Sequence, residues 1–392
     1  MPATLAQCLD CFGADYLAEH RLSAPQAKVW RALVNCRTGA LGGHCLECDD
    51  CGYREYRYHS CRNRHCPQCQ TRAKEAWTRA RLRELLPVPY THLVFTLPHA
   101  LNALVAVHDA WLYDTLLSGV AQTLTEFAQN PRWLGAVPAF TLVLHTWTQD
   151  LRRHVHVHAL MACGGLDAER GWVSPKRQPR FLFPVHALSK VFRAKFLDAL
   201  DRAHRQQALP RDPAAEPLAF AHRRRALLKH DWVVYAKTPL AGAAEVLEYL
   251  SRYTHRTAIS NERIMAIRGH QVLLRVRADD RGGKRIVHLT GTTFLGRFLQ
   301  HVLPAGFKRI RHYGLLAPAR KTERLNDARQ ALQAPAPNPL ARESAEQFMQ
   351  RVAQRDIETC PCCQQGRLRV VAILLALHRI DPPICCHNRD PP

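Results

Sequence analysis

Acidic residues are scarce in this chain of 392 residues: 33 Asp and Glu stand against 55 Lys and Arg, a formal net charge of +22 with histidine neutral and a pI near 9.8. That imbalance is the electrostatic footprint of a nucleic-acid binder, and the preference for Arg over Lys, as in Arg223-Arg224-Arg225 and Lys308-Arg309-Ile310-Arg311, suits phosphate oxygens. Long apolar runs are absent as well. The longest uncharged one, Val370 to Leu377, falls far short of the roughly twenty residues a membrane helix needs, so no membrane partner is expected. The N-terminus carries acids early and lacks a basic start followed by an apolar block, so no export signal is expected. No GxxxxGK[ST] loop is present to hydrolyse a nucleoside triphosphate. The expected setting is therefore a reducing cytoplasm, where 15 cysteines in clustered spacings argue for metal rather than disulfides.

Among what is there, the cysteines come first. Cys48-x-x-Cys51 and Cys66-x-x-Cys69, fourteen residues apart, predict one four-cysteine zinc ribbon with Zn²⁺ in a closed, structural shell. Residues 53 to 59 between them read as a short strand with a return. His44, Cys45, His59, Cys61 and His65 remain as candidates for a second site, with free thiols and surface histidines as the alternative. Cys8, Cys11 and Cys36 read as buried or partly buried thiols. Near the other end, Cys360-Pro-Cys362-Cys363 and Cys385-Cys386-His387 leave a second small zinc knuckle open. A run of basic residues, with Arg62 and Arg64 at its head and Arg72, Lys74, Arg79 and Arg81 after it, makes the zinc block a candidate reader of duplex or hairpin DNA.

Residues 5–35 show helical spacing, with Leu17, Leu22, Val29, Trp30, Leu33 and Val34 as candidate core positions. Pro87-Val88-Pro89 punctuates a boundary, after which Tyr90 to Leu97 reads as a strand, Leu101 to Gln129 as one long helix and Phe140 to Thr148 as a further strand. His186 to Gln206 reads as a helix, Trp232 to Tyr235 as a short buried strand, residues 263–289 as a three-run meander, and 333–339 as a linker. The expected fold is α+β, a central antiparallel sheet flanked by helices behind an N-terminal zinc-ribbon-like domain. The expected division is 1–86, 87–332 and 333–392.

The chemistry concentrates between Leu151 and Gly165. His154, His156 and His158 alternate with valines up to a break at Gly164-Gly165, so the stretch reads as a strand on which His156 and His158 share a face and can meet one cation. His154 is a further candidate. The third ligand stays open among Gln149, Glu245, Glu248 and His255. The segment 245–256 reads as a helix with Tyr249 and Tyr253 four apart on one face. A phenol with a pKa near 10 is a weak nucleophile, and a divalent ion on the phosphate supplies the missing assistance. Arg252, Arg256 and Lys237 lie near enough in sequence to hold the scissile strand.

A two-histidine strand, a two-tyrosine helix and a leading cysteine block resemble the HUH nucleases, which nick single-stranded DNA through a phosphotyrosine bond. GGHCLECDDCGY, SCRNRHCPQCQ, PYTHLVFTLPH, LHTWTQDLRRHVHVH, LEYLSRYTHRTAISN and FLQHVLPAGFKRIRHYGLL, in that order over residues 42–316, are similar to the rolling-circle insertion-sequence transposases of the family numbered ninety-one. The resemblance implies Tyr249 and Tyr253 as nucleophiles, His156 and His158 as ligands of Mg²⁺ or Mn²⁺, and the Cys48 to Cys69 block as a zinc-bearing DNA-recognition module. It implies nicking and transfer of single-stranded DNA. Val155 stands where the family commonly has proline, His59 where it often has asparagine, and the residues after Ile380 do not follow the family pattern. The alternatives are a replication initiator or relaxase with the same chemistry, and a non-enzymatic zinc DNA-binding regulator.

Overall fold

Period-two and period-3.6 stretches of the sequence become strands and helices that sort into two groups. The computed structural model describes residues 3–175, 182–237, 245, 258–278, 283–339 and 343–377, the side chain of residue 70 excepted. Its contacts define two units, Met1–Glu75 with His255–Val302 and Pro339–Pro392, and Ala76–Thr254 with Leu303–Asn338. Divisions at 86 and 332 would follow chain order, whereas these contacts gather segments far apart in sequence.

In the first unit, α1 (Leu5–Glu19) and α2 (Ala24–Val34) each begin with a capping box, Thr4 with Gln7 and Ser23 with Gln26, which satisfies backbone donors that a helix start leaves unpaired. Val29, Trp30 and Leu33 are buried, while Leu17, Leu22 and Val34 are half-buried. β1 (Gly43–Cys48) and β2 (Arg54–Tyr58) form the predicted strand and return. The tail adds β12 (Leu368–Leu374) to the other edge of β1, giving the order β12-β1-β2. The meander is β8 (Ile264–Arg268), β9 (Gln271–Arg277) and β10 (Lys284–Thr290). The helix Gly291–Leu299 follows and packs on α1, where a Cβ on Gly291 would lie 2.0 Å from Phe12 Cγ.

The second unit is built on an antiparallel sheet of β3 (Tyr90–Thr96), β4 (Val137–Trp147), β5 (Arg153–Asp167), β7 (Val234–Ala236) and β11 (Ile310–Gly314), in the order β11-β4-β5-β3-β7, with β6 (Gly171–Val173) on the end of β5. The α+β reading with a central antiparallel sheet holds. One sheet face presents Phe95, Phe140, Val155, Val157, Ala159 and Met161 to α5 (Asp109–Gln129) and α6 (Val185–Arg205), where Leu116, Val120, Phe192 and Phe196 complete the main core. Each such side chain other than Ala159 contributes about 1.5–3 kcal/mol by leaving water. The opposite face carries a smaller cluster of Tyr90, Ala139, Leu160, Ala162, Leu315 and Leu325.

Local geometry departs from the sequence reading in four places. The long helix is interrupted at His108 (φ −135°, ψ 45°), which separates α4 (Asn102–Val107) from α5. The histidine strand does not stop at Gly164-Gly165 but runs to Asp167; Gly164 sits at φ +150°, with the Trp172 indole where a Cβ would be. β7 is an edge strand, so Val234 and Ala236 are buried while Val233 and Tyr235 face outward. The helices α7 (Pro217–Lys229) and Lys321–Ala331 are absent from the sequence reading.

Candidate metal centres

Strand pleating gives every second residue of β5 to one face, so Val155 and Val157 enter the main core while His156 and His158 point to the other side. Register brings in a third imidazole: His145 on β4 lies directly opposite His156 on β5. The ring centroids of His145 are 5.4 Å from His156 and 4.5 Å from His158, and His156 and His158 are 4.8 Å apart. One nitrogen from each lies within 4.8 Å of the others, close enough for three imidazoles to hold one cation.

Hydrogen bonds select the nitrogens. The carbonyl of His154 accepts from His156 Nδ1 at 2.9 Å, so that nitrogen carries the proton and Nε2 keeps its lone pair. His158 Nδ1 is 2.9 Å from Nε2 of His92, which lies on β3 with its side chain buried. A hydrogen donated by His158 Nδ1 to His92 would likewise leave His158 Nε2 for a metal. Burial holds His156 down to about 4, against a rise from the His154 carbonyl. His158 falls well below its ordinary 6.5, from burial first and then from the charges of His145, His156, His92 and Lys237. Burial likewise lowers His92 to about 3. At neutral pH these rings are uncharged, the form that ligates.

Of the other residues expected here, His154 pairs with His99, 3.0 Å between Nδ1 and Nε2, and is outside the triad. Lys237 follows β7, its backbone N–H donating to the carbonyl of His92 at 2.9 Å. Glu245 is exposed, and Gln149 follows the end of β4. Glu248, Tyr249, Arg252, Tyr253, His255 and Arg256 lie outside the described residues. His145 was missed because β4 reads as a nearly continuous apolar run. A histidine at its end, eleven positions before His156 and across a turn, was the available signal.

The cysteines do not form the single group that spacing suggested. Cys66 and Cys69 join Cys36 and Cys61, whereas Cys48 and Cys51 join Cys360 and Cys363. The two Cys-x-x-Cys turns face different partners because β1 pairs with β12, which draws the turn after β1 toward the tail. In the first group Cys36 Sγ is 3.3 Å from Cys69 Sγ and 3.6 Å from Cys66 Sγ, and Cys61 Sγ is 3.6 Å from Cys69 Sγ. Zinc–sulfur bonds of about 2.3 Å in a tetrahedron put sulfurs about 3.8 Å apart, so four thiolates fit a structural zinc. Cys36, expected as a plain buried thiol, belongs to this group, and so does Cys61. His65 is buried beside it with its backbone N–H on Asn63 Oδ1, outside the four. Arg62 is exposed with φ +51°, and burial lowers the Arg64 guanidinium below its usual value.

Residues 8–97 match the family described as "Transposase zinc-binding domain", and residues 139–324 the family described as "Putative transposase". A protein of Sinorhizobium fredii described as "Putative transposase y4qJ" is 40% identical over 385 residues, covering 95% of this chain and 96% of that one. The "Transposase for insertion sequence element IS801" of Pseudomonas savastanoi pv. phaseolicola is 28% identical over 332 residues, covering 83% and 78%. No solved structure matches the chain. A zinc-binding module together with an antiparallel sheet that bears three converging imidazoles is thus the architecture of a transposase. Within that class, the chain belongs to the IS91 family of insertion-sequence transposases.

Proposed function

We propose that this transposase nicks and transfers single-stranded DNA through a 5′-phosphotyrosine intermediate, in rolling-circle transposition. The observation that carries the reading is the convergence of His145, His156 and His158 on one face of the central sheet. Three imidazole ligands leave coordination positions open to a phosphate oxygen, as a catalytic rather than a closed site requires, and Mn²⁺ takes imidazole nitrogen more readily than Mg²⁺ does. The ion, when bound, polarises a non-bridging oxygen and offsets charge at the pentavalent phosphorus.

The chain's own residues supply the rest. The oxygen of the Tyr249 or Tyr253 hydroxyl bonds to phosphorus as the bond from phosphorus to the 3′ oxygen breaks, and the phenol proton passes, through solvent, to that oxygen, which leaves as a 3′ hydroxyl. One phosphodiester is exchanged for a tyrosyl ester, so rejoining needs no nucleoside triphosphate. With one tyrosine esterified, the second can attack a target junction. His92 orients His158, and the His154 carbonyl orients His156. Lys237, Arg252 and Arg256 are the proposed phosphate contacts, by their nearness in sequence to the tyrosines. The zinc module, with exposed Arg62, is the proposed reader of hairpin or duplex ends. Likeness to transposases over nearly the whole chain favours this reading over a replication initiator, a relaxase or a regulator.

The test incubates the full chain with labelled single-stranded oligonucleotides from candidate element ends and Mg²⁺ or Mn²⁺. A protein–DNA adduct that survives denaturation is expected. It should disappear in the Tyr249→Phe/Tyr253→Phe double variant and on chelation. An adduct at wild-type level in that double variant would refute the tyrosine assignment.

A further inference from the structure

We propose that Cys48, Cys51, Cys360 and Cys363 form a second structural zinc site, whose ligands come from opposite ends of the chain. The proposal is independent of the strand-transfer chemistry. The matched zinc-binding family spans residues 8–97, so Cys360 and Cys363 stand outside it.

Cys48 Sγ is 3.7 Å from Cys363 Sγ, and Cys51 Sγ is 3.7 Å from Cys360 Sγ, close to the about 3.8 Å edge of a zinc–thiolate tetrahedron and far beyond a disulfide. Both pairs have two residues between their cysteines, and both are turns that aim backbone N–H groups at sulfur. Asp50 N and Cys51 N donate to Cys48 Sγ at 3.4 and 3.5 Å. On the other turn, Cys362 N donates to Cys360 Sγ at 3.4 Å, and Gly366 N to Cys363 Sγ at 3.3 Å. Such bonds stabilise thiolate over thiol. The cradle is closely fitted: a Cβ on Gly366 would lie 2.4 Å from Cys48 Sγ.

The surroundings show why a cation is needed. β12 pairs with β1 but buries little, since Val370, Val371 and Ile373 are 57%, 55% and 71% exposed and Leu368 alone is buried. Apart from the ladder, the polar attachments are few and mostly at the surface: Arg367 N donates to Asp49 Oδ1 at 2.6 Å, Arg369 Nε to Oδ2 at 3.0 Å, Arg57 Nη1 to the Ile357 carbonyl at 2.9 Å and Leu377 N to the Gly39 carbonyl at 3.2 Å. An edge strand without a buried apolar face has weak means of staying paired. Four thiolates on one zinc ion tie it down from both sides, and binding releases the thiol protons. The zinc module is then complete only when residues near both ends of the chain are present.

The test measures zinc by elemental mass spectrometry in the full chain purified without chelator. About two ions per chain are expected. Cys360→Ser and Cys363→Ser should each lower the content by about one, whereas Cys362→Ser, at an exposed cysteine outside the four, should leave it unchanged. Alkylation of the wild type gives a readout free of folding failures: Cys48, Cys51, Cys360 and Cys363 should resist labelling with zinc and become reactive on its removal, while Cys362 labels in both states. One ion per chain, or equal labelling of Cys360 and Cys362 with zinc present, would overturn the site. Loss of an ion in Cys66→Ser reports on the other cluster and leaves these outcomes distinct.

Discussion

At the scale of single residues, the triad separates ligands from neighbours. His145→Ala removes one of three converging nitrogens but no surface charge, so cleavage should be lost while DNA binding is kept. The loss should be at least the about 10–100-fold in metal affinity that an outer partner costs. His92→Phe tests that outer role: it should weaken metal binding by about 10–100-fold, and the conservative His92→Gln should recover part, as measured by cation titration of nicking and by calorimetry. His154→Ala, at a ring paired with His99, should have the smallest effect. Equal losses in all three would argue that the face is merely packed. Alternation alone made His156 and His158 legible. His145 was not, because a cross-strand neighbour depends on register, and register is fixed by the bend between β4 and β5 and by the core beneath them.

His312 gives the same scale a pH signature. Arg81 donates to His312 Nε2 at 3.1 Å, so Nδ1 carries the hydrogen and donates to Thr141 Oγ1 at 2.9 Å. Burial first, then the charges of Arg81 and Lys321, lowers His312 from 6.5 to about 4. The unfolded chain takes up this proton near 6.5 and the folded chain only near 4. The contribution to stability is therefore complete above pH 6.5, declines as pH falls through that window and is gone below about 4. Other buried histidines titrate in the same range, so the comparison with His312→Gln is the informative one. Denaturant unfolding should show a shallower loss between pH 7 and 4.5 in the variant, and identical slopes would discount the effect.

At the scale of elements, the sequence was most legible where one period ran unbroken, as in the meander and α6. It misled where a tertiary contact overrode a local signal. Gly164-Gly165 looks like a terminator, yet β5 continues because the Trp172 ring needs the space at Gly164. The cysteine partners were hidden for a related reason: Cys-x-x-Cys spacing marks a knuckle but not which other knuckle it meets, and β12 decides that from more than 300 positions away. Gly314 ends β11 at φ +63°, where a Cβ would fall 1.8 Å from the Pro138 carbonyl oxygen, and Leu315 N donates to that oxygen at 2.8 Å. Gly314→Ala should cost about 1–3 kcal/mol through overpacking and left-handed strain, and loosen β11 from β4. Urea unfolding measures the cost, and a change under 0.5 kcal/mol, about the scatter of surface substitutions, would show that the turn gives way freely.

At the scale of the whole molecule, an excess of 55 basic over 33 acidic residues does not mean that every arginine meets DNA. Arg223 forms a two-pronged pair with Asp212, whose side chain is only 4% exposed, and Arg224 pairs with Asp201; Arg311 pairs with Asp114. The run Arg223-Arg224-Arg225, whose guanidinium groups suit phosphate oxygens, therefore spends two of its members on the fold. Arg62 differs, being exposed in the turn between Cys61 and Cys66. Salt separates the two kinds. Each phosphate contact releases counterions and adds about 0.9 to the slope of log affinity against log salt. Arg62→Ala should lower that slope by about 1 on element-end DNA and leave zinc content and unfolding unchanged. Arg223→Ala should leave the slope as it was but cost about 3–5 kcal/mol of stability, because Asp212 is left buried without its partner. The reverse pattern, a lower slope from Arg223→Ala with intact stability, would move the DNA path away from the zinc module and onto α7.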